Sequence, residues 1–181
     1  MKYQLIMAYV DTHPLRSAFV ANPLRRLVEL ISNQGETLLQ DAGLEFPSRT
    51  VSCVLLIGER GEISAADIAK TLSQPHQLVT QRIDLLIKLG VVERLADPAD
   101  KRRKILALTP KGVIQFECLK PLLAEADIAF TALFAEINCD LPTIALRMLD
   151  ALTATPILDR VKAPKPILAK ADSPIMKRVQ K

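Results

Sequence analysis

The sequence predicts a mainly α-helical fold with one small β-hairpin. Apolar residues recur three and four positions apart along most of the 181-residue chain, which is the spacing of amphipathic helices. Two short apolar runs flank one polar, proline-containing turn, as the strands of a hairpin do. Prolines and glycines fall near the ends of the helical segments, where they commonly start or stop a helix. These observations define the fold class, and the individual elements follow from local motifs.

The first helix of the central segment begins at a capping box. Ser64 precedes Asp67 by three residues, so the serine hydroxyl can accept the Asp67 amide while the carboxylate reaches back. Ile63 and Ile68 are placed to form a hydrophobic staple. Because the apolar positions end before Pro75, this helix is predicted to be short.

A second helix is predicted from Pro75 to Leu89, with Gly90 as its terminator. Its inner face is predicted from helical spacing to contain Val79, Ile83, Leu86 and Ile87. Its outer face contains His76, Gln77, Thr80, Gln81 and Asp84. Amide side chains of this kind can read base edges in a major groove. An ordinary solvated face is the alternative.

Residues 91–95 and 104–108 are predicted to form two strands joined by a cationic turn. The run from Lys101 to Lys104 would repel itself unless an anion lay nearby, and a phosphate backbone or a narrow minor groove supplies one. Asp100 can hold the guanidinium of Arg102 in one pose. A solvated loop is the alternative. Helix, turn, helix and basic hairpin is the order of a winged helix-turn-helix.

One set of residues in this segment, taken together with the distances between them along the chain, forms a recognisable pattern. The set is Asp84, residues 90–94, Asp97, residues 100–102 and residues 108–112. With this pattern, residues 64–112 resemble the DNA-binding lobe of the MarR family of bacterial transcriptional regulators. The resemblance implies a dimer with two recognition helices in successive major grooves and Arg102, braced by Asp100, in a minor groove. Gln81 departs from the family, whose members often have arginine there.

Further helices are predicted on both sides of this lobe. One runs from the Asn22-Pro23 cap to Asp41 with an apolar stripe (Leu24, Leu27, Val28, Ile31 and Leu38), and one runs from Pro47 to Ile57, buries Val51, Val54 and Leu55, and is broken by Gly58 to Gly61. A short strand at Glu62-Ile63 beside the hairpin is also predicted. Residues 1–21 form an N-terminal extension with a strand or arm at 3–10 and a short helix from the Thr12-His13-Pro14 cap through Val20.

The longest helix is predicted from Thr109-Pro110 to Asn138, with a kink near Pro121. Its apolar seam spans three heptads (Phe116, Leu119, Leu123, Ala126, Phe130, Leu133 and Ile137). A helix at 140–153 and a last turn at 156–161 follow. This surface exceeds what one small lobe can cover, so a symmetric dimer is predicted, with Leu123, Phe130, Leu133 and Leu149 in its interface.

The domain prediction therefore has four parts. Residues 22–43 and 110–161 form a helical dimerisation region, residues 44–109 form the winged lobe, and residues 162–181 form a flexible basic tail. The formal net charge is +4, but residues 162–181 hold six cations and one anion, so the remainder has a net charge of −1. The total charge is therefore no argument for DNA binding, which must rest on where the charges lie.

The composition limits other functions. No apolar run reaches the length of a membrane helix and no signal peptide is recognised, so a cytoplasmic protein is predicted. Cys53, Cys118 and Cys139 form neither a metal pattern nor a disulfide framework, and they are predicted to be reduced and half-buried, with redox sensing as the sharper alternative. No cofactor is predicted. Two histidines and no paired acid and base give no support to an enzyme.

The predicted function is a homodimeric, sequence-specific DNA-binding transcriptional regulator, a repressor by family habit, that binds a pseudo-palindromic operator. A winged-helix module that binds only protein is the alternative. The predicted DNA contacts are Ser73, His76, Gln77, Thr80 and Gln81 on the helix and Asp100, Lys101, Arg102 and Arg103 on the hairpin. A small-molecule effector would alter the spacing of the recognition helices. Its pocket is not identified, although His13, Arg49 and Ser52 are candidates.

Overall fold

The structure is a computed structural model that describes residues 8–96 and 104–163. These residues form helices and one hairpin, so the predicted fold class is confirmed. The elements are α1 (Tyr9–Thr12), α2 (Ala21–Asp41), α3 (Val51–Arg60), α4 (Ala65–Thr71), α5 (His76–Lys88), β1 (Val92–Ala96), β2 (Lys104–Leu108), α6 (Pro110–Glu136), α7 (Leu141–Ala154) and α8 (Ile157–Lys162), with 3₁₀ turns at Arg16–Phe19 and Ser48–Thr50. The chain divides into two compact units, residues 1–127 and 128–181.

One hydrophobic core holds the first unit together. Helices α3, α4 and α5, both strands and the beginning of α6 contribute to it. Burying each large apolar side chain stabilises the fold by about 1.5–3 kcal/mol. The largest fully buried side chains are Phe46, Ile57, Ile68, Ile83, Leu86, Leu106 and Leu119.

The hairpin is antiparallel, with Val92 opposite Leu108 and Ala96 opposite Lys104. Ile63 adds a third, minimal strand, because it exchanges two backbone hydrogen bonds with Leu106 at 2.9 and 3.2 Å. The predicted strand beside the hairpin is thereby confirmed. The sequence of α3, this bridge, α4, α5 and the hairpin is a winged helix-turn-helix.

Helix α3 corrects two predictions. The chain from Pro47 first forms a 3₁₀ turn. Helix α3 then continues through Gly58 and ends at Arg60, with Gly61 at φ +77° as its C-cap. Gly58 is a packing position, because a Cβ there would lie 2.4 Å from the Phe116 ring. The buried face also differs from the prediction, since Val51 and Leu55 are only partly buried. The buried positions of this helix are Cys53, Val54, Leu56 and Ile57.

Helix α2 begins two residues earlier than predicted. Val20 is its N-cap, so Asn22 and Pro23 lie within the first turn rather than at the cap. Proline is tolerated there because the first amides have no partner inside the helix. The predicted end near Asp41 is confirmed. Most of the apolar stripe is open to solvent in the single chain, with Val28 62% exposed.

The described part of the N-terminal segment is helical rather than extended. Tyr9 and Val10 lie in α1, which corrects the predicted strand for those two residues, while residues 1–7 lie outside the described part. The predicted short helix before Val20 is a 3₁₀ turn. Arg26 of α2 holds the segment, because its Nη2 donates to both carboxylate oxygens of Asp11 at 2.5 and 2.6 Å.

The second unit contains the end of α6 together with α7 and α8. Asp140 caps α7 by accepting the Thr143 amide at 3.2 Å, and the predicted final helices are confirmed. Within residues 128–163 no side chain is buried, although many are large and apolar. The predicted kink near Pro121, which lies inside α6, stays a prediction.

Residues 164–181 of the tail lie outside the described part. None of the helices described here combines the length and the apolarity needed to cross a bilayer.

Candidate nucleic-acid interface

Helix α4 is fixed at both ends by its own sequence. Ser64 Oγ accepts the Asp67 amide at 3.1 Å, as predicted, and donates to Asp67 Oδ2 at 2.6 Å. At the other end the Ser73 amide donates to Lys70 and the Gln74 amide to Ala69, at 3.2 and 2.9 Å. This is a Schellman motif in which Ser73, at φ +51°, occupies the position that glycine usually takes. The turn between the two helices is therefore defined residue by residue.

Helix α5 has the two faces that the sequence predicts. Its inner face is fully buried at Val79, Ile83 and Leu86 and partly buried at Ile87, so the inner-face prediction is confirmed. The predicted DNA-contacting side chains lie outside the core: Ser73, His76, Gln77 and Gln81 are exposed, and Thr80 is half-buried. The Thr80 hydroxyl donates to the His76 carbonyl at 2.9 Å, so its remaining lone pairs can only accept. The exposed face thus offers amide, imidazole and hydroxyl groups.

Arg82 is a residue of this helix that the sequence reasoning missed. Its Nη1 donates to Gln74 Oε1 at 2.5 Å and so links α5 to the turn before it. Its guanidinium also lies beside the buried Cys53 thiol. Burial raises the pKa of Cys53, and the Arg82 charge opposes that rise. A cation one position before the buried Ile83 was the signal available in the sequence.

The end of α5 is joined closely to the start of α6. Thr109 Oγ1 donates to the Gly90 carbonyl at 2.6 Å and accepts the Gly112 amide at 3.0 Å. Lys111 Nζ donates to the Leu89 carbonyl at 3.1 Å. A Cβ at Gly112 would lie 2.0 Å from the Val91 carbonyl oxygen, so only glycine fits. The motif at 108–112 therefore fixes α6 against the C-terminal end of the predicted recognition helix.

Strand β1 is linked to α5 by an ion pair between Arg94 and Asp84. Both side chains are about half exposed, so the pair contributes less than about 1 kcal/mol. Its effect is on position, because it joins the outer face of α5 to the base of the hairpin. The predicted hairpin contacts, Asp100, Lys101, Arg102 and Arg103, lie outside the described residues, and the two strands end on either side of them.

The predicted interface side chains are accessible in the single chain. Leu123 is partly buried, whereas Phe130, Leu133 and Leu149 are exposed, Leu149 at 62%. Phe130 packs on Phe134 with ring centroids 5.9 Å apart.

The effector candidates do not line the cleft that the structure shows in the first unit. His13 contacts the rings of Tyr9 and Phe19, Arg49 is exposed, and Ser52 is half-buried on α3. That cleft has a volume of about 740 Å³, and its lining residues are Arg60, Glu62, Ile63, Ser64, Asp67, Lys70, Thr71 and Ile105.

The cysteines occupy three different environments. Cys53 is buried, Cys118 is exposed and Cys139 is intermediate, so the prediction of half-burial is right only for Cys139. Among the residues that the structure describes, no group of histidine, cysteine or carboxylate side chains is arranged to hold a metal.

Comparison with known proteins agrees with this geometry. Residues 43–103 match the model of the MarR family. The chain is 30% identical over 92 residues to the multiple antibiotic resistance protein MarR of Salmonella typhimurium and 29% identical to that of Escherichia coli. The matched segment is 50% of this chain and 64% of each relative, so less than two thirds of their length is spanned.

Solved structures support the fold. The Staphylococcus aureus MepR–DNA complex has a TM-score of 0.62 at 19% identity, covering 74% of this chain and 97% of that one. The repressor CouR bound to a 23-mer DNA duplex has a TM-score of 0.59 at 23% identity, covering 77% and 96%. The resemblance to the MarR family that the sequence predicts is therefore confirmed, and its matched part is the winged helix-turn-helix lobe.

Proposed function

We propose that this protein is a homodimeric, sequence-specific DNA-binding transcriptional regulator. The observation that carries the proposal is helix α5. Its inner face is anchored by three fully buried side chains, and its outer face presents amides, an imidazole and a hydroxyl. The sequence of the hairpin that follows contains four consecutive cations, Lys101 to Lys104. Such side chains hydrogen-bond to base edges, and the hairpin cations supply phosphate or minor-groove contacts.

The exposed face of α5 supports the proposed contacts from the helix, and the resemblance supports those from the hairpin. Ser73, His76, Gln77, Thr80 and Gln81 read the major groove, and Asp100 to Arg103 form the minor-groove and backbone contact. Structures similar in fold, MepR and CouR, were solved with DNA. Their likeness supports the same lobe geometry here.

The dimer follows from surfaces that the single chain leaves open. The second unit buries none of its described side chains, and α2 exposes most of its apolar stripe. A symmetric partner removes such surfaces from water. We therefore assign residues 22–43 and 110–161 to dimerisation and residues 44–109 to DNA binding. Two reading heads must lie about 34 Å apart to enter successive major grooves.

Repression and control by a small molecule complete the proposal. A ligand that holds the two recognition helices at another spacing weakens binding without touching a DNA contact. A protein that acts on bacterial chromosomal DNA works in the cytoplasm.

Selection of bound fragments from random or genomic DNA tests the function and yields the operator. We expect one enriched, pseudo-palindromic motif. Affinity for it should fall steeply as salt rises, with a slope set by the number of phosphates contacted. A protein-interaction module without DNA recognition predicts no enrichment and no such slope.

The hairpin is tested by Arg102→Ala. We expect operator affinity to fall at least about tenfold, as for the loss of one charge-assisted contact, while the dimer stays intact. Gel shift and analytical ultracentrifugation measure the two quantities. Equal affinity of the two proteins would remove the hairpin arginine from the mechanism.

A further inference from the structure

Helix α5 carries Arg82 near its middle, and the guanidinium of this residue donates to the turn before the helix. Its partner there is Gln74 Oε1, 2.5 Å from Arg82 Nη1. We infer that Arg82 orients Gln74 so that the Gln74 amide nitrogen donates a hydrogen bond to DNA. This inference rests on the proposed function and adds two residues to the candidate interface.

The chemistry of the pair determines which atom of the Gln74 side-chain amide is free to bind another group. A guanidinium has only donors, so the atom that faces it must be the amide oxygen. The Gln74 side chain then presents its NH₂ group, which can only donate. Within the residues that the structure describes, this nitrogen has no hydrogen-bond partner. The acceptors that suit it on a duplex are base edges, such as guanine O6 and N7, and phosphate oxygens.

The backbone holds Gln74 at the correct end of the helix. Its amide is bonded to Ala69 at 2.9 Å as part of the Schellman motif, and Pro75 follows directly at the N-cap of α5. In helix-turn-helix proteins the first residues of the recognition helix are the ones that reach base edges. Gln74 is half-buried, so its amide is accessible at that end.

Arg82 is costly for the fold, which favours a role in binding. Its Nε is buried and has no hydrogen-bond partner in the described part of the chain. An unsatisfied buried donor destabilises a protein, and replacing a buried charge by an apolar side chain of similar volume is often neutral or stabilising. Packing alone therefore does not require a cation at this position.

The experiment is a double-mutant cycle on the selected operator, measured by fluorescence anisotropy with Arg82→Met, Gln74→Met and the double variant. We expect each single variant to weaken binding about tenfold and the double variant to be no weaker than either, because both remove one contact. Thermal melting of Arg82→Met should be unchanged or raised. Lys88→Met, which removes a cation at the other end of α5, is the matched control and should stay within about twofold of wild type.

The same variants on an unrelated duplex at low salt identify the acceptor. A loss confined to the operator indicates a base edge, and an equal loss on both duplexes indicates a phosphate; either result supports the inference. Wild-type affinity in Arg82→Met beside weakened Gln74→Met, or losses that add in the double variant, would overturn the orienting role. Wild-type affinity in Gln74→Met would overturn the contact itself.

A second variant covers the case in which Arg82→Met does not fold. Gln74→Glu keeps a partner for the guanidinium but replaces the donor by an acceptor oxygen, so we expect weak operator binding with an unchanged or higher melting temperature. Wild-type binding by this variant would overturn the inference. Failure of the wild-type protein to enrich any duplex is a separate result, seen before variants are compared, and would overturn the proposed function together with the inference.

Discussion

At the residue scale, the turn between α4 and α5 depends on one strained position. Ser73 has φ +51°, a left-handed conformation that side chains with a Cβ adopt at a cost. The Schellman hydrogen bonds on either side of it hold the turn in this form. Glycine would fit the backbone better, and the serine hydroxyl is one of the predicted DNA contacts.

Replacing Ser73 by glycine therefore tests how much the strained backbone lowers the stability of the protein. We expect Ser73→Gly to raise the free energy of unfolding by roughly 0.5–1 kcal/mol, because the left-handed conformation is no longer strained. Urea denaturation measures this change. Ser73→Ala is the control: it keeps the strain, so it should give no gain. A stabilising alanine would show that the hydroxyl, rather than the backbone, was the unfavourable feature.

The ion pair at the N-terminal segment gives a pH prediction. Hydrogen bonds from the Arg26 guanidinium, together with one from the Ala8 amide, hold the pKa of Asp11 below its usual 3.8. A lowered pKa means that the contact stabilises the folded segment above about pH 3.8 and is lost as the pH falls through the folded-state value. We expect a carbon-13 NMR titration of the Asp11 carboxyl group to show a midpoint below 3.8, which Arg26→Met should raise. An unchanged midpoint in Arg26→Met would remove the arginine as the cause.

At the element scale, glycines inside helices have opposite roles that depend on what packs beside them. Gly35 in α2 and Gly58 in α3 both lie in helical backbone. A Cβ at Gly35 would lie 3.7 Å from Ser48, an ordinary contact, whereas a Cβ at Gly58 would lie 2.4 Å from the Phe116 ring. Replacing each glycine by alanine should therefore change the free energy of unfolding in opposite directions.

We expect Gly35→Ala to raise the free energy of unfolding by up to about 1 kcal/mol, through helix propensity. Gly58→Ala should lower it by about 1–3 kcal/mol, because Phe116 must move within a packed core. Chemical denaturation of the two variants provides the comparison, and each serves as the other's control. A stabilised Gly58→Ala would mean that Phe116 relaxes at little cost.

These positions also indicate how much the sequence could predict. Local signals sufficed for the α4 cap at Ser64, the end of α5 at Gly90 and the hairpin strands, because each depends on neighbours within a few residues. Gly58 was misread as a helix breaker because its partner, Phe116, is remote in sequence. Arg82 and Gln74 were missed for a related reason: eight residues apart, they meet only through the particular turn at Ser73. Which face of α3 is buried also depended on packing that periodicity alone does not resolve.

At the scale of the whole molecule, dimerisation should determine whether the apolar side chains of the C-terminal helices are exposed or buried. Leu149 is 62% exposed on α7 and belongs to the proposed interface. In a symmetric dimer each substitution is present twice, so a single charged substitution at this position places two charges in the interface.

We expect Leu149→Glu to weaken dimerisation at least about a hundredfold, since two carboxylates would have to be desolvated. Arg147→Glu, on the opposite side of the same helix, is the matched control and should stay dimeric. Sedimentation velocity at micromolar concentration distinguishes the two states. A dimeric Leu149→Glu protein would place the interface elsewhere.

The absence of any buried side chain among described residues 128–163 has a consequence for the protein in a cell. Newly made chains that have not yet met a partner would expose these helices to proteases, and chains paired through the proposed interface would shield them. We expect the turnover of the protein to slow as its abundance rises. The concentration of the protein in the cell would then depend on how often two chains meet as well as on how fast they are synthesised.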